Sequence, residues 1–314
     1  MTAFGTTKNG DNIEKVTIGA GDLTVSILTR GAILQDVRLN GIGYGLTEGS
    51  QDLSDYEAQM GYYGAIVGPI ANRISNARVR LDGMMYELER NENGQSHLHS
   101  GSDGTHTRVW QVVTQTDSSV TLALDLADGD CGLPGARKVT ATFTVTAPAS
   151  LTLTITGTTD TKTLMNFANH SYWNMDGTDS WDGHTLKIAA DRYLPINDAT
   201  SPTGDVLDVA GTDMDFRAGR QFAPGAPALD HNFCLSDTRV ALRDVLTLTG
   251  ATGVSMTIAT TEPGIQVYDG RTAYKGLAIE PQCWPDAPNH SGFPSITVTP
   301  DAPYAQTSRW TFHR

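Results

Sequence analysis

The chain has 314 residues, with 35 acidic against 22 basic side chains for a net charge of −13, and is 39% hydrophobic and 18% charged. Apolar residues spread along the whole length exclude a disordered chain, and the negative charge without any Lys/Arg cluster argues against nucleic acid or an anionic membrane surface as partner. A small neutral ligand suits this balance better.

No apolar run approaches the roughly 18 residues that span a bilayer, and Met1 to Lys8 lack the charged and apolar regions of a signal peptide. A cytoplasmic protein is expected. Cys131, Cys234 and Cys283 are an odd number and none forms a C-x-x-C pair, so neither a disulfide framework nor a zinc site is indicated.

Periodicity is of the strand kind from Leu23-Thr24-Val25-Ser26-Ile27 onward, where apolar and polar residues alternate. Leu53 to Met60, after the possible cap Ser50, is the best candidate for a short helix. Val79-Arg80-Leu81 and Met84 to Leu88 flank Asp82-Gly83 and read as a hairpin, since Asp-Gly supplies the positive φ angles of a primed turn. Val120 to Leu126 is a strand, and Ala141 to Val145 with Leu151 to Ile155 form a second hairpin. Further strands are expected at Leu186 to Ala190, Val254 to Thr260, Ile265 to Tyr268, Gly276 to Ile279, Ser295 to Thr299 and Trp310 to Phe312. The Pro/Gly/Ala-rich stretch Ala218 to Ala228 reads as a loop. With no crossover helices and no linker, the pattern predicts an all-β antiparallel sandwich, one domain over residues 1–314.

Four segments concentrate ionisable, amide and aromatic residues. Asn72-Arg73 ends the apolar run Ala65 to Ile70; read alone it is a solvated strand-end Arg, and the same fork holds sugar hydroxyls or a carboxylate. His97-Leu98-His99 puts two imidazoles on one strand face, but a metal site needs more ligands and no Glu follows closely, so a single pocket His is the better reading. Asn166 to Asn174 packs three Asn, a His and three aromatics into nine residues. That mixture suits a carbohydrate pocket, the aromatics stacking on a sugar and the amides reading its hydroxyls, or else a buried polar cluster. Glu280 ends an apolar strand before a Pro-rich loop, where a carboxylate is costly unless paired or functional. Burial beside Trp284 would raise its pKa toward the range of a general base. Asp230 and Gln266 read alone as ordinary turn and strand polarity.

Taken in order, Asn72-Arg73-Ile74, Leu98-His99, Asn169-His170-Ser171-Tyr172, Leu229 to Phe233, and Leu277 to Gln282 with Pro285 to His290 resemble the aldose 1-epimerase (galactose mutarotase) family from about Gly31 to the C-terminus. The resemblance implies a large antiparallel β-supersandwich and an isomerase that interconverts the α and β anomers of a free aldose. It implies Glu280 as catalytic base, His170 as catalytic acid, and Asn72, Arg73, His99, Tyr172, Asp230 and Gln266 as lining of the sugar site. No metal, nucleotide or redox cofactor is called for, and no G-x-G-x-x-G follows a strand. The partner is a monosaccharide, and the protein a monomer or homodimer.

The chain departs from the family pattern at Ser100, where Gly is common, which alters the freedom of the loop. Trp173 and Trp284 in place of Phe, and Pro281 in place of Thr, are expected to enlarge or stiffen the pocket wall. Three other functions remain open. A noncatalytic carbohydrate-binding protein would not need Glu280 and His170 together; a glycosidase would pair Glu280 with Asp230; a sugar-phosphate 1-epimerase would need a basic cluster, for which only Arg73 and Arg78 are available.

Overall fold

Alternating apolar and Thr-rich positions do what a period of two requires, forming long antiparallel strands with one buried face. The structure, a computed structural model, describes residues 1–221, 223, 227–270 and 274–314. A nine-stranded sheet runs in the order Gln111–Gln115, Ser119–Leu126, Arg137–Thr146, Ser150–Thr159, Tyr304–His313, Ser255–Thr260, Arg243–Thr249, Thr185–Ile188 and Arg220–Gln221. Phe143 lies opposite Leu153, and Leu151 opposite Trp310, on its buried face. On the other face the Thr hydroxyls pair across strands, Thr121 with Thr142 at 3.0 Å and Thr140 with Thr156 at 2.7 Å.

A four-stranded sheet, Thr2–Thr6, Asn12–Ala20, Leu23–Leu28 and Ile33–Leu39, and a six-stranded one complete the sandwich. Val25, Phe143, Trp310, Phe233 and Ile279, drawn from all three sheets, share one hydrophobic cluster. The six-stranded sheet has the order Tyr172–Trp173, Leu277–Gln282, Gly264–Tyr268, Asp230–Cys234, Arg192–Tyr193 and Leu207–Asp208. Its register assembles one polar face. Tyr172 lies opposite Ala278, Ala278 opposite Tyr268, and Tyr268 opposite Asp230. The next row on the same face is Glu280, Gln266 and Asn232. Residues opposite one another in an antiparallel pair share a face, so positions over a hundred apart in sequence become neighbours.

Both expected hairpins form. Asp82 and Gly83 adopt φ of 49° and 80° between Arg78–Leu81 and Met84–Glu87. Other elements differ in extent. The strand expected at 276–279 is Leu277–Gln282, the last strand lengthens to Tyr304–His313, and the one expected at 295–299 shrinks to Thr297–Val298. The helix is Leu53–Tyr56 alone, with Asp52 rather than Ser50 capping it by accepting from the Ser54 N–H. Leu53 and Tyr56 are its buried residues, too few for a longer helix to gain tertiary support. Within the stretch read as a loop, Arg220–Gln221 pairs with Thr185 and Leu186, while residues 222 and 224–226 lie outside the described residues. Among the described residues, no helix is long and apolar enough to cross a membrane.

Phe143 is fully buried on the third strand of the largest sheet, Arg137–Thr146. Phe143→Ala should lower unfolding free energy by about 3–5 kcal/mol in urea titrations, through lost transfer energy and the cavity left behind.

Candidate active site

A cavity of about 230 Å³ opens over the tyrosine and glutamate rows of the six-stranded sheet. Its polar lining is Asn72, Arg73, Glu92, His99, His170, Asp230 and Glu280, and its aromatic lining Tyr62, Tyr172, Tyr268 and Tyr274. Larger hollows lie beside Glu48 and Lys275, about 460 Å³, and beside Phe4 and Leu53, about 680 Å³, but neither is lined by a histidine. His99, His170 and Glu280 come together in the smaller one.

Glu280 is 1% exposed on a strand buried on both faces. Leu277 and Ile279 point into the main core, which turns Glu280 to the cavity side. Burial raises its pKa to about 8, with Asp230 adding to the rise and Arg73 opposing it. Trp284 is not among the causes. Its carboxylate Oε1 is 3.6 Å from His170 Nε2, and Oε2 has no partner among the described residues. Burial also lowers the His170 pKa, to about 4, and His170 Nδ1 is likewise unpartnered.

His170 is fixed by its backbone. Its N–H donates to the Ala65 carbonyl and its carbonyl accepts from the Gly64 N–H, both at 2.9 Å. Gly64 has φ of 67°, and a Cβ there would meet the Leu34 carbonyl oxygen at 2.3 Å, so this close approach requires glycine. Asn169 donates to the Gly64 carbonyl at 2.7 Å from the other side.

Asn72-Arg73 and Leu98-His99 meet because Arg73 and Leu98 pair in a short antiparallel ladder. The Asn72 N–H donates to His99 Nδ1 at 3.1 Å. A neutral imidazole accepting at Nδ1 carries its one proton on Nε2, so His99 presents an N–H donor. Burial, then the neighbouring His170, holds the His99 pKa well below its usual value. Ser100 adopts the left-handed conformation with φ of 64°, and its hydroxyl accepts from the Ile70 N–H at 2.8 Å.

Arg73 donates through Nη1 to Asp230 Oδ2 and through Nη2 to Glu92 Oε1, each at 3.1 Å. Asp230 Oδ1 accepts from Gln266 Nε2 at 2.7 Å. Gln266 therefore reaches the site through Asp230 and does not line the main cavity. Asp286 accepts from the Ser75 N–H at 3.1 Å and its own N–H donates to the Arg73 carbonyl at 3.1 Å. The Pro285 to His290 motif thus holds the backbone that carries Arg73.

Tyr62, Glu92, Tyr268 and Tyr274 are cavity residues that the sequence does not single out. Glu92 sits in an Asn-Glu-Asn-Gly turn that looks like ordinary loop polarity, and Tyr62 in a tyrosine pair between glycines. Only Tyr268, an aromatic ending a strand beside Gln266, offers a signal. Tyr62 packs on His99, His106 and His170 with ring centres 4.9, 4.8 and 5.7 Å away. Tyr172 stacks between Tyr63 and Tyr274 at 4.3 and 4.8 Å.

Two expectations fail here. Trp173 packs in the main core against Trp310 and Phe312, and Trp284 packs edge-on to Phe293 while donating to the Pro263 carbonyl at 2.9 Å. Neither tryptophan lines the cavity, and Pro281 lies on the opposite strand face with its carbonyl bonded to Gln306. The tryptophan bulk fills the core. The paired-histidine feature also separates: His97 bonds the Glu89 carbonyl at 2.8 Å, and only His99 reaches the cavity.

His99, His170 and Glu280 place potential metal-ligand atoms within 4.8 Å of one another. The hydrogen bond to His99 Nδ1 opposes that use. A metal on Nε2 would drive the imidazole proton onto Nδ1, directly against the Asn72 N–H. The geometry leaves His99 Nε2–H free to act as a hydrogen-bond donor.

Comparison with known proteins gives this geometry a context. The sequence profile of the aldose 1-epimerase family matches residues 14–311. Galactose mutarotase of Rattus norvegicus is 31% identical over 338 residues, spanning 99% of this chain and 97% of its own. Aldose 1-epimerase of Escherichia coli strain K12 is 31% identical over 283 residues, 82% of either chain. A solved GalM/aldose epimerase homologue from C. elegans superposes with a TM-score of 0.88 at 30% identity, covering 96% of this chain and 99% of that one.

His99 should remain the neutral Nε2–H tautomer between about pH 5 and 8, because its lowered pKa keeps it uncharged as the pH falls through the ordinary histidine range. Imidazole nitrogen chemical shifts check this, and titration near the unperturbed value would contradict the assigned hydrogen bond.

Proposed function

The chain belongs to the aldose 1-epimerase family and is a mutarotase, an isomerase, and from that premise we propose that Glu280 and His170 are the acid/base couple that opens and recloses an uncharged aldose ring. The observation that carries this reading is a buried carboxylate and a buried imidazole 3.6 Å apart, each with one unpartnered polar atom, in a cavity walled by tyrosines.

Glu280 takes the proton of the anomeric hydroxyl. The bond between C1 and the ring oxygen breaks, its electron pair going to that oxygen, which takes a proton from His170. The aldehyde rotates about C1–C2. On reclosure the hydroxyl returns its proton to His170 as its oxygen attacks the other face of C1, and Glu280 protonates the new anomeric oxygen. The couple begins and ends with one proton. Burial favours holding that proton on Glu280, and a sugar hydroxyl donating to the carboxylate favours the other placement, since hydrogen bonds to a charged form stabilise it.

The His99 N–H, Arg73 and Asn72 steady the sugar oxygens, Asp230 accepts from a hydroxyl with Gln266 bracing it, and Tyr172, its two faces covered by Tyr63 and Tyr274, lines the wall with its edge. A phosphorylated substrate is less well supported: Arg78, the other candidate cation, is exposed and paired with Glu87 at 2.7 Å. Galactose is the substrate named for the rat relative and is the first sugar to try. Unpaired buried Cys131, Cys234 and Cys283 suit the reducing cytoplasm, where we place the protein. Residues 1–314 act as one functional unit in this reading, since the site draws on side chains from Tyr62 to Glu280.

The optical rotation of freshly dissolved α-D-galactose should relax faster with the protein than in buffer, to the same end point. Glu280→Gln and His170→Gln should each lower the enzymatic rate by roughly 10²–10⁴-fold, the usual scale of a positioned acid or base. Relaxation at the buffer rate with wild-type protein, for galactose, glucose and a pentose alike, would overturn the assignment.

The couple holds one proton between the two pKa values near 4 and 8. Below the lower value both groups are protonated and no base is left; above the upper value neither carries a proton and no acid is left. A bell-shaped kcat/KM profile with limbs near those values is expected from polarimetry across that range.

A further inference from the structure

Arg73 is the one Lys or Arg among the described residues that line the cavity. It faces two carboxylates, Asp230 through Nη1 and Glu92 through Nη2. Asp230 has both oxygens engaged, by Arg73 and Gln266, whereas Glu92, which lines the cavity, meets Arg73 through Oε1 and leaves Oε2 outside the ion pair. One carboxylate would suffice to neutralise the guanidinium. The second leaves this side of the cavity with a surplus negative charge and a free acceptor oxygen.

Glu92 is held in place by its turn. Its N–H donates to the Ser96 carbonyl at 3.0 Å and the Ser96 N–H donates back at 3.1 Å, with Asn93 and Gly94 at φ of 51° and 68° between them. An incoming carboxylate or phosphate meets no unpaired cation here and is repelled by Oε2; a hydroxyl finds an acceptor; an ammonium finds a counter-charge.

We propose that Glu92 is a specificity-determining residue that selects against anionic sugars, such as uronates and sugar phosphates, and in favour of uncharged and amino sugars. This rests on the mutarotase reading of the site and narrows its substrate class.

Three sugars of one configuration test it: D-galactose, D-galacturonate and D-galactosamine at about pH 6, where the acid is ionised and the amine protonated. Polarimetry gives kcat/KM for each with wild type, Glu92→Gln and Glu92→Asn. The galacturonate-to-galactose ratio should rise about tenfold in both variants, which is about 1.4 kcal/mol. The galactosamine-to-galactose ratio should fall, and both shifts should shrink with added salt. Ratios unmoved in both variants, or a wild-type preference for galacturonate, would overturn the proposal. Calorimetric affinities of the same sugars in a Glu280→Gln background read the same ratios without turnover. If wild-type protein leaves galactose unrelaxed, the mutarotase reading falls, and the calorimetric ratios still decide the charge selectivity.

Discussion

A carboxylate buried on a central strand without a cation of its own is the constraint around which this molecule is organised. Taking an ionised Glu out of water costs several kcal/mol unless it is paired, so the group shifts toward its neutral form. Glu280 does so, its pKa raised by burial. Such a site survives only if the rest of the fold supplies enough stability to offset it. The supply is visible: the nine-, six- and four-stranded sheets bury one continuous apolar cluster, and Glu280 sits on the edge of that cluster with Ile279 inside it. Burial also lowers the pKa of His170, so the same desolvation that makes Glu280 hold a proton makes its neighbour release one. The result is a couple with one proton and two addresses for it.

The other polar residues of the cavity hold one another in place. The short ladder between Arg73 and Leu98 brings Asn72 to His99, and a backbone N–H then determines which imidazole nitrogen carries the proton. A backbone donor cannot rotate away or titrate, so it fixes a tautomer more firmly than most side chains could. Asp286 ties the segment after Arg73 to a distant loop, and Asp230 with Glu92 aligns the guanidinium. These contacts link residues from five separate stretches of chain, which is why the site motifs are dispersed while the site is compact.

Much of this was legible in the sequence, and the failures have physical causes. The strands with period-two burial, the Asp82-Gly83 hairpin and the segments bearing His99, His170 and Glu280 follow from local pattern and motif. Strand ends are set by partners: Tyr304–His313 extends because both Ser150–Thr159 and Ser255–Thr260 flank it. The placement of Trp173 and Trp284 escapes the sequence because strand parity and tertiary packing decide which way an aromatic points, and a tryptophan near a motif looks the same whether it faces a sugar or a core. Glu92 and Tyr62 were invisible for a related reason. Each enters the cavity from a loop whose course depends on long-range contacts, and neither carries a local pattern that distinguishes it from surface polarity or filler.

A second buried glutamate shows why burial alone does not carry the proposed role of Glu280. Glu262 is fully buried and its pKa is also raised by desolvation. Both its oxygens, however, accept from Arg239, at 2.6 and 3.1 Å, so its lone pairs are committed to the scaffold. Glu280 meets only an imidazole at 3.6 Å and leaves Oε2 unpartnered. In a folded protein an unpaired buried polar atom is costly and therefore rare. Unpartnered buried atoms occur elsewhere too, on Gln282 and Trp173 among others, so it is the meeting of Glu280 Oε2 and His170 Nδ1 on one cavity, beside a tautomer-locked donor, that supports the proposed proton transfer at Glu280 over a structural role.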